Sequence, residues 1–247
     1  MATIVSRFLP RVFLLDLDDT ILDDSSTVPA CWRWACARHA VAEEGLDPEA
    51  VYQAITSAST WYWSDAERHR TGRLDLLAAR RHVVALAFHT LGIDRPDMAA
   101  AIGDAYSEAR DARMQPLPGA IDTLRWLRDH GCRLALLTNG AADAQRRKID
   151  RFALAPWFDH ILIEGELGFG KPDPRVFETA LGRLGAAPSD AWMAGDNLEW
   201  DVAPARQMGI HAIWVDAGRR GVPAGWPHAP DRIVERLADL CDSTGPC

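Results

Sequence analysis

The order of short apolar runs and helical patterns constrains the fold of this chain more than any other feature. After residue 119, apolar runs typical of buried strands alternate with amphipathic helical patterns. Such alternation is typical of a parallel sheet with helices on both faces. The predicted strands are Val12–Leu15, Arg133–Thr138, His160–Ile163, Ala191–Ala194 and His211–Val215, with Arg232–Val234 as an edge strand. We therefore predict an α/β fold with a Rossmann-like parallel-sheet core.

A block without a convincing strand interrupts this pattern between Pro29 and Arg113. Its helical patterns cover Trp32–Glu44, Pro48–Ser59, Leu74–Leu91 and Pro96–Arg113. A segment rich in Pro and Gly follows, at residues 114–119, and marks the return to the alternating pattern. We predict two domains: an α/β core of residues 1–23 and 114–247, and an inserted all-helical cap of residues 24–113 over the active edge of the sheet.

Acidic residues follow the first predicted strand directly. Val12–Leu15 leads into Asp16-Leu17-Asp18-Asp19-Thr20. On a regular strand Asp16 and Asp18 would share one face. Burying unpaired carboxylates costs several kcal/mol, roughly, so packing does not explain them and a metal cation would offset the cost. Ligands of open α/β sheets bind at the carboxyl ends of strands, so this run predicts a functional site.

Polar residues also follow three other predicted strands. Thr138-Asn139-Gly140 ends the second strand, and Gly170-Lys171-Pro172-Asp173-Pro174 lies in the loop after the third. The fourth strand ends in Gly195-Asp196-Asn197, with Asp201 five residues after Asp196. Because the carboxyl ends of parallel strands meet at one edge of the sheet, these groups can converge there.

The four motifs DLDDT, TNG, GKPDP and GDNLEWD, in this order, resemble the haloacid dehalogenase (HAD) superfamily of aspartate-nucleophile hydrolases. The helical insertion resembles the helical cap (C1) class of that superfamily. The resemblance implies that Asp16 is the nucleophile and Asp18 the general acid and base. It implies phosphate binding by Thr138, Asn139 and Lys171, and Mg²⁺ binding by Asp16, the backbone carbonyl of Asp18, and Asp196. Asn197 and Asp201 would support these groups.

Several activities occur within this superfamily, and the residues favour one of them. The dehalogenating branch carries an aromatic residue where Asp18 stands and needs no metal. The phosphonate-cleaving branch needs a cap lysine, and residues 24–113 contain none. We therefore predict a Mg²⁺-dependent phosphomonoester hydrolase that acts on a small soluble phosphometabolite through an aspartyl-phosphate. A phosphomutase, a 2-haloacid dehalogenase, and a phospho-accepting switch or binding protein without turnover are the alternatives.

Residues of the predicted cap offer weaker signals about the substrate. The aromatic residues Trp32, Trp34, Trp61, Tyr62 and Trp63 favour a cap core over a ligand-stacking shelf. Arg68, Arg70 and Arg73 form a basic segment, which is either a solvated face or a second grip on an anionic substrate. The chain has two lysines, and we interpret Lys148 as a solvated surface residue.

Charge and cysteine usage bear on partners and compartment. A net charge of −8 argues against nucleic acid or an anionic membrane as partner. Five scattered cysteines without a CxxC pair are typical of reduced thiols. No signal peptide and no run of ~18 apolar residues is evident, so a cytoplasmic location is predicted. The oligomeric state is left open, and a homodimer is compatible with this sequence.

Overall fold

The computed structural model of the chain describes residues 9–40 and 46–242. These residues divide into two compact units. The core unit contains the described residues up to Asp23 and from Gln115 onward, and the helical unit is Asp24–Met114. The end of the predicted helix Trp32–Glu44 falls on residues 41–45, outside the described residues.

A six-stranded sheet organises the core unit. Its strands are β1 (Val12–Leu15), β4 (Arg133–Thr138), β5 (His160–Ile163), β6 (Ala191–Gly195), β7 (His211–Val215) and β8 (Arg232–Val234). Their order in the sheet is β5-β4-β1-β6-β7-β8, and every neighbouring pair is parallel. A separate antiparallel pair joins β2 (Leu22–Asp23) to β3 (Gln115–Pro116). The predicted α/β fold with a parallel sheet is confirmed.

The first strand lies in the middle of this sheet. Leu14 of β1 is in register with Ala135 of β4 and with Met193 of β6. All four residues of β1 are buried, as expected for a parallel strand covered on both faces. The carboxyl ends of β4 and β6 therefore flank the carboxyl end of β1, where the acidic run begins.

Helices connect the strands of the core unit. They are α6 (Ala120–Asp129), α7 (Ala142–Arg151), α8 (Glu164–Leu167), α9 (Pro174–Leu184), α10 (Ala203–Gln207) and α11 (Asp239–Asp242). A π-helical segment, Leu198–Val202, runs directly into α10. One core cluster joins buried residues of five strands to Phe177 and Leu181 of α9 and to Val202.

The described residues of the helical unit form five helices around a core of their own. They are α1 (Val28–His39), α2 (Pro48–Trp63), α3 (Ala66–Gly72), α4 (Leu76–Thr90) and α5 (Pro96–Arg113). Trp32 stacks on Tyr106 inside this core with ring centroids 3.5 Å apart. Tyr62 is also buried, whereas Trp34 and Trp61 are exposed, so the predicted aromatic core holds for part of that set.

One cysteine differs from the expectation of reduced thiols. Cys31, Cys36 and Cys132 are free, but Cys241 is disulfide-bonded, so the prediction of a fully reduced set is wrong for Cys241. Within residues 9–40 and 46–242, no helix combines the length and the apolar character that crossing a bilayer requires.

Candidate active site

The acidic run turns away from the sheet immediately after β1. The backbone N–H of Asp16 still donates to Ala194 of β6 at 3.0 Å. Beyond it, the amides of Ile21 and Leu22 both donate to the Leu17 carbonyl, and Asp19 has a left-handed φ of 59°. The strand ends at Leu15, so the expectation that Asp16 and Asp18 share one strand face is wrong.

Lys171 lies between two carboxylates at the carboxyl end of β1. Its Nζ donates to Oδ1 of Asp16 and, at 2.7 Å, to Oδ1 of Asp201. The three side chains are buried, with the Lys171 side chain 3% exposed. Burial disfavours the charged forms and raises the pKa of Asp16, while the two carboxylates hold the pKa of Lys171 above its ordinary value despite its burial. The lysine is therefore held as a cation beside the predicted nucleophile.

Asp196 completes a cluster of three carboxylates. Oxygen atoms of Asp16, Asp196 and Asp201 all lie within 4.8 Å of one another. Burial, together with the neighbouring charges of Asp16 and Asp201, raises the pKa of Asp196 to about 8. Three carboxylates face the single ammonium of Lys171, so a divalent cation would compensate the excess negative charge.

Asp201 can approach Lys171 because position 195 is glycine. A Cβ atom on Gly195 would lie 2.3 Å from the Asp201 carboxyl group. Oδ2 of Asp201 accepts from the backbone N–H of Asn197 at 3.1 Å. The side chain of Asn197 caps the π-helical segment, since its Oδ1 accepts from the amides of Glu199 and Trp200. Asn197 and Asp201 thus organise the loop that carries Asp196.

The side chain of Asn139 holds the main chain of Lys171. Its Nδ2 donates to the Lys171 carbonyl at 2.6 Å, and its Oδ1 accepts from the Lys171 N–H at 2.8 Å. A Cβ atom on Gly170 would lie 2.4 Å from this Oδ1, so the close approach requires glycine there. Asn139 therefore orients Lys171 through its side chain, and its part in phosphate binding stays a prediction.

Thr138 and Asp18 are linked through a helix that follows β4. Gln145 Nε2 donates to Oγ1 of Thr138 at 2.5 Å and to Oδ2 of Asp18 at 2.9 Å. Lys148 Nζ donates to both carboxylate oxygens of Asp18, at 2.7 and 2.8 Å. The interpretation of Lys148 as a solvated surface residue is wrong, since its side chain is 14% exposed and ion-paired.

The predicted specificity arginines lie in the helical unit, on and just after α3. Arg68 donates to the backbone carbonyls of Trp61 and Tyr62 and stacks over the Trp61 ring. Arg70 forms a two-point ion pair with Glu67. Arg73 is the C-cap residue of α3. Arg68 and Arg70 thus have structural contacts within their own unit that account for them.

Sequence reasoning missed three polar residues around this site. Gln145 and Lys148 belong to α7, and Glu164 accepts from the N–H of Gly140 at 2.9 Å. The sequence offered one signal for Gln145 and Lys148. They are three residues apart on a helix that begins just after the TNG motif, so they share a helix face near the predicted site. Glu164 is buried at the start of α8, and no pattern in the sequence distinguishes it from an ordinary helix-start acid.

Comparison with known proteins gives a consistent set of relatives. The chain matches the haloacid dehalogenase-like hydrolase family over residues 10–209. It is 37% identical to a phosphoserine phosphatase of Thermus thermophilus, over 93% of this chain and 97% of that protein. It is 30% identical to a glyceraldehyde 3-phosphate phosphatase of Methanopyrus kandleri, over 94% of this chain and 96% of that protein.

Solved structures share the fold at lower identity. The HAD-hydrolase YfnB of Bacillus subtilis, solved bound to magnesium, matches with a TM-score of 0.73 and 19% identity, covering 96% of this chain and 99% of that one. The L-2-haloacid dehalogenase RSc1362 matches with a TM-score of 0.71 and 18% identity, covering 95% and 98%. At such identities the likeness shows the fold alone.

Proposed function

The chain belongs to the haloacid dehalogenase-like hydrolase family and to its phosphatase branch, and from this premise we propose a Mg²⁺-dependent hydrolase of small phosphorylated metabolites. The observation that carries the proposal is the buried contact of Lys171 with Asp16 and Asp201, beside Asp196. This contact supports the proposed role of Asp16 as nucleophile, because a carboxylate beside a buried cation at the end of the central strand suits attack on a phosphoryl group.

The proposed reaction proceeds in two steps. An oxygen of Asp16 attacks phosphorus, the bond to the leaving oxygen breaks, and Asp18 gives that oxygen a proton. Asp18 then takes a proton from water, whose oxygen attacks the aspartyl-phosphate, so that inorganic phosphate leaves and Asp16 is regenerated. Lys171 and the hydroxyl of Thr138 hold the phosphoryl oxygens during both steps by charge and by hydrogen bonding.

The donor set beside Asp16 fits Mg²⁺. The available ligand atoms are oxygens, which this ion prefers, and the three clustered carboxylates exceed the one ammonium in charge. Asp16, Asp196 and the backbone carbonyl of Asp18 would hold the ion. Asp201 is left out because both of its carboxylate oxygens already accept hydrogen bonds, one from Lys171 and the other from the Asn197 amide. When bound, the ion offsets repulsion between the nucleophile and the phosphoryl oxygens.

The proposed substrates are small phosphomonoesters. The two relatives described above act, by their names, on phosphoserine and on glyceraldehyde 3-phosphate, which are both small phosphorylated metabolites. A panel that contains O-phosphoserine, glyceraldehyde 3-phosphate and other phosphorylated metabolites therefore tests the substrate class directly, with release of inorganic phosphate as the readout.

Asp16→Asn tests the proposed nucleophile. With p-nitrophenyl phosphate and Mg²⁺, we expect turnover by the unaltered protein and a loss of at least about a thousandfold in Asp16→Asn, because the amide is a poor nucleophile. Chelation of the metal should also remove activity. Asp143→Asn, at an exposed position of α7, is the matched control and should stay active.

Three outcomes contradict the proposal. Turnover that survives in Asp16→Asn removes the aspartyl-phosphate route. A phosphorylated protein that accumulates without release of phosphate indicates a switch. Release of halide from a 2-haloacid, without phosphatase activity, indicates a dehalogenase.

A further inference from the structure

Two polar residues of α7, Gln145 and Lys148, contact Asp18, the predicted general acid and base. Gln145 and Lys148 are three residues apart, so they lie on one face of the helix. Lys148 contacts both carboxylate oxygens of Asp18, at 2.7 and 2.8 Å. Gln145 contacts the same carboxylate at 2.9 Å. Three hydrogen bonds from one helix face therefore define where this carboxylate lies.

The burial of these residues argues against an incidental surface contact. Gln145 is 2% exposed, and the Lys148 side chain is 14% exposed. Ordering a lysine side chain costs rotamer entropy, and a solvated position would avoid that cost. An exposed neighbour, Arg147, shows that the same helix has a solvent-facing side for such a residue.

Gln145 also joins the acid and base to the phosphate-binding end of β4. Its Nε2 donates to Oγ1 of Thr138 as well as to Asp18. One amide group therefore fixes the distance between the hydroxyl that would hold the phosphoryl group and the carboxyl that would protonate the leaving oxygen. Small displacements of reacting groups lower the rate of a reaction strongly, so loss of these two hydrogen bonds of Gln145 should lower the rate of catalysis.

We propose that Lys148 and Gln145 are positioning residues that hold the Asp18 carboxyl group beside Thr138, where its protonated form gives a proton to the leaving oxygen and the resulting carboxylate later takes one from water. The inference rests on the proposed function, in which Asp18 is the general acid and base. It predicts that loss of the Lys148 contact lowers kcat more for a substrate with a poor leaving group, because such a group depends more on receiving a proton from Asp18.

The experiment compares two substrates and a small set of variants. Lys148→Met removes the ammonium while keeping the length of the side chain, Lys148→Arg keeps the charge, and Gln145→Leu removes the amide. Arg147→Met is the matched control on the solvent side of α7. Each variant is assayed with p-nitrophenyl phosphate, which has a good leaving group, and with O-phosphoserine or another alkyl phosphate that the unaltered protein hydrolyses.

For Lys148→Met we expect kcat to fall about tenfold to a hundredfold with the alkyl phosphate, with a smaller fall for the aryl phosphate and KM changed by less than about twofold. Gln145→Leu should act in the same direction. Lys148→Arg should recover part of the activity. In Asp18→Asn, the further change Lys148→Met should have little additional effect, because both act on the same step.

Other results overturn the inference. Equal losses for both substrates indicate a structural role, and a rise in KM alone indicates that Lys148 binds substrate. Independent effects of Lys148→Met and Asp18→Asn remove the coupling. If Asp18→Asn is inactive while Lys148→Met is normal, the inference fails and the proposed function stands. If Asp16→Asn keeps its turnover, both fail. Thermal unfolding of each variant shows that it is folded.

Discussion

A single missing side chain lets Asp201 join the carboxylate cluster of the candidate site. Gly195 ends β6, and any Cβ there would lie 2.3 Å from the Asp201 carboxyl group. With a Cβ atom there, Asp201 would have to move away from Lys171. Lys171 would then lose one of its two carboxylate partners, and its ammonium would no longer be fixed beside Asp16. Glycine at this position therefore serves the close approach of a charged group rather than flexibility.

Gly195→Ala should therefore lower kcat by roughly a hundredfold and the free energy of unfolding by about 1–3 kcal/mol. Phosphate release and urea unfolding measure the two effects. The control is Gly182→Ala in α9, where no atom lies within 4 Å of the added Cβ. That variant should stay active and gain up to about 1 kcal/mol of stability. Full activity of Gly195→Ala would show that Asp201 need not lie where it does.

Individual site residues could be predicted where a strand ended and not where a helix contributed. Asp16, Thr138 and Asp196 directly follow or end buried apolar runs, so the parallel sheet alone brings them to one edge. Lys148 and Gln145 could not be found that way. Their contact with Asp18 depends on how α7 crosses the sheet edge, which the sequence pattern does not determine.

At the scale of elements, apolar runs gave better predictions than polar segments. The bounds of β1, β4, β5 and β7 agree with the prediction, because each strand contains a run of buried apolar residues with clear ends. The short helix α3 was missed, since its seven residues carry no apolar stripe. The polar segment after β6 forms a π-helical turn, Leu198–Val202, followed by α10, and this widened turn lies where Asp201 reaches the site.

His211, the first residue of β7, should make stability depend on pH. It stacks on Trp192 of β6, and burial lowers its pKa, while Asp231 opposes that shift and Arg206 and Arg232 reinforce it. The folded state therefore binds fewer protons than the unfolded state near the ordinary histidine pKa, so stability is present at higher pH and declines as the pH falls through about 6.5.

Urea unfolding at pH 5 and pH 7 measures this dependence. His211→Gln should reduce the loss of unfolding free energy between these values by a few tenths of a kcal/mol, roughly, since the histidine side chain is 35% exposed and its charge interactions are partly screened. An unchanged or steeper loss in His211→Gln would contradict the assignment.

At the scale of the whole molecule, the two units have separate hydrophobic cores. Ile102 and Ile55 are fully buried in the core of the helical unit, and Ile210 is fully buried in a cluster of the core unit. Residues that share no packing partners have additive effects on stability. Substitutions in the two cores are therefore expected to lower the free energy of unfolding by independent, additive amounts.

Ile102→Val and Ile210→Val should each lower the free energy of unfolding by about 0.5–1.5 kcal/mol. Combined, their losses should add to within about 0.5 kcal/mol in chemical denaturation. Ile102→Val with Ile55→Val is the comparison pair within one core. A coupling energy above about 1 kcal/mol between the first two substitutions would show that the cores are not independent.

The scarcity of amines in this protein has a practical consequence. Both of its lysines, Lys148 and Lys171, are bonded to aspartates of the candidate site, and their side chains are 14% and 3% exposed. Acylating reagents directed at primary amines should therefore modify these side chains slowly as long as the ion pairs with the aspartates persist. The mass added at each lysine, followed by mass spectrometry over time, would record how often each ion pair breaks and the amine becomes accessible.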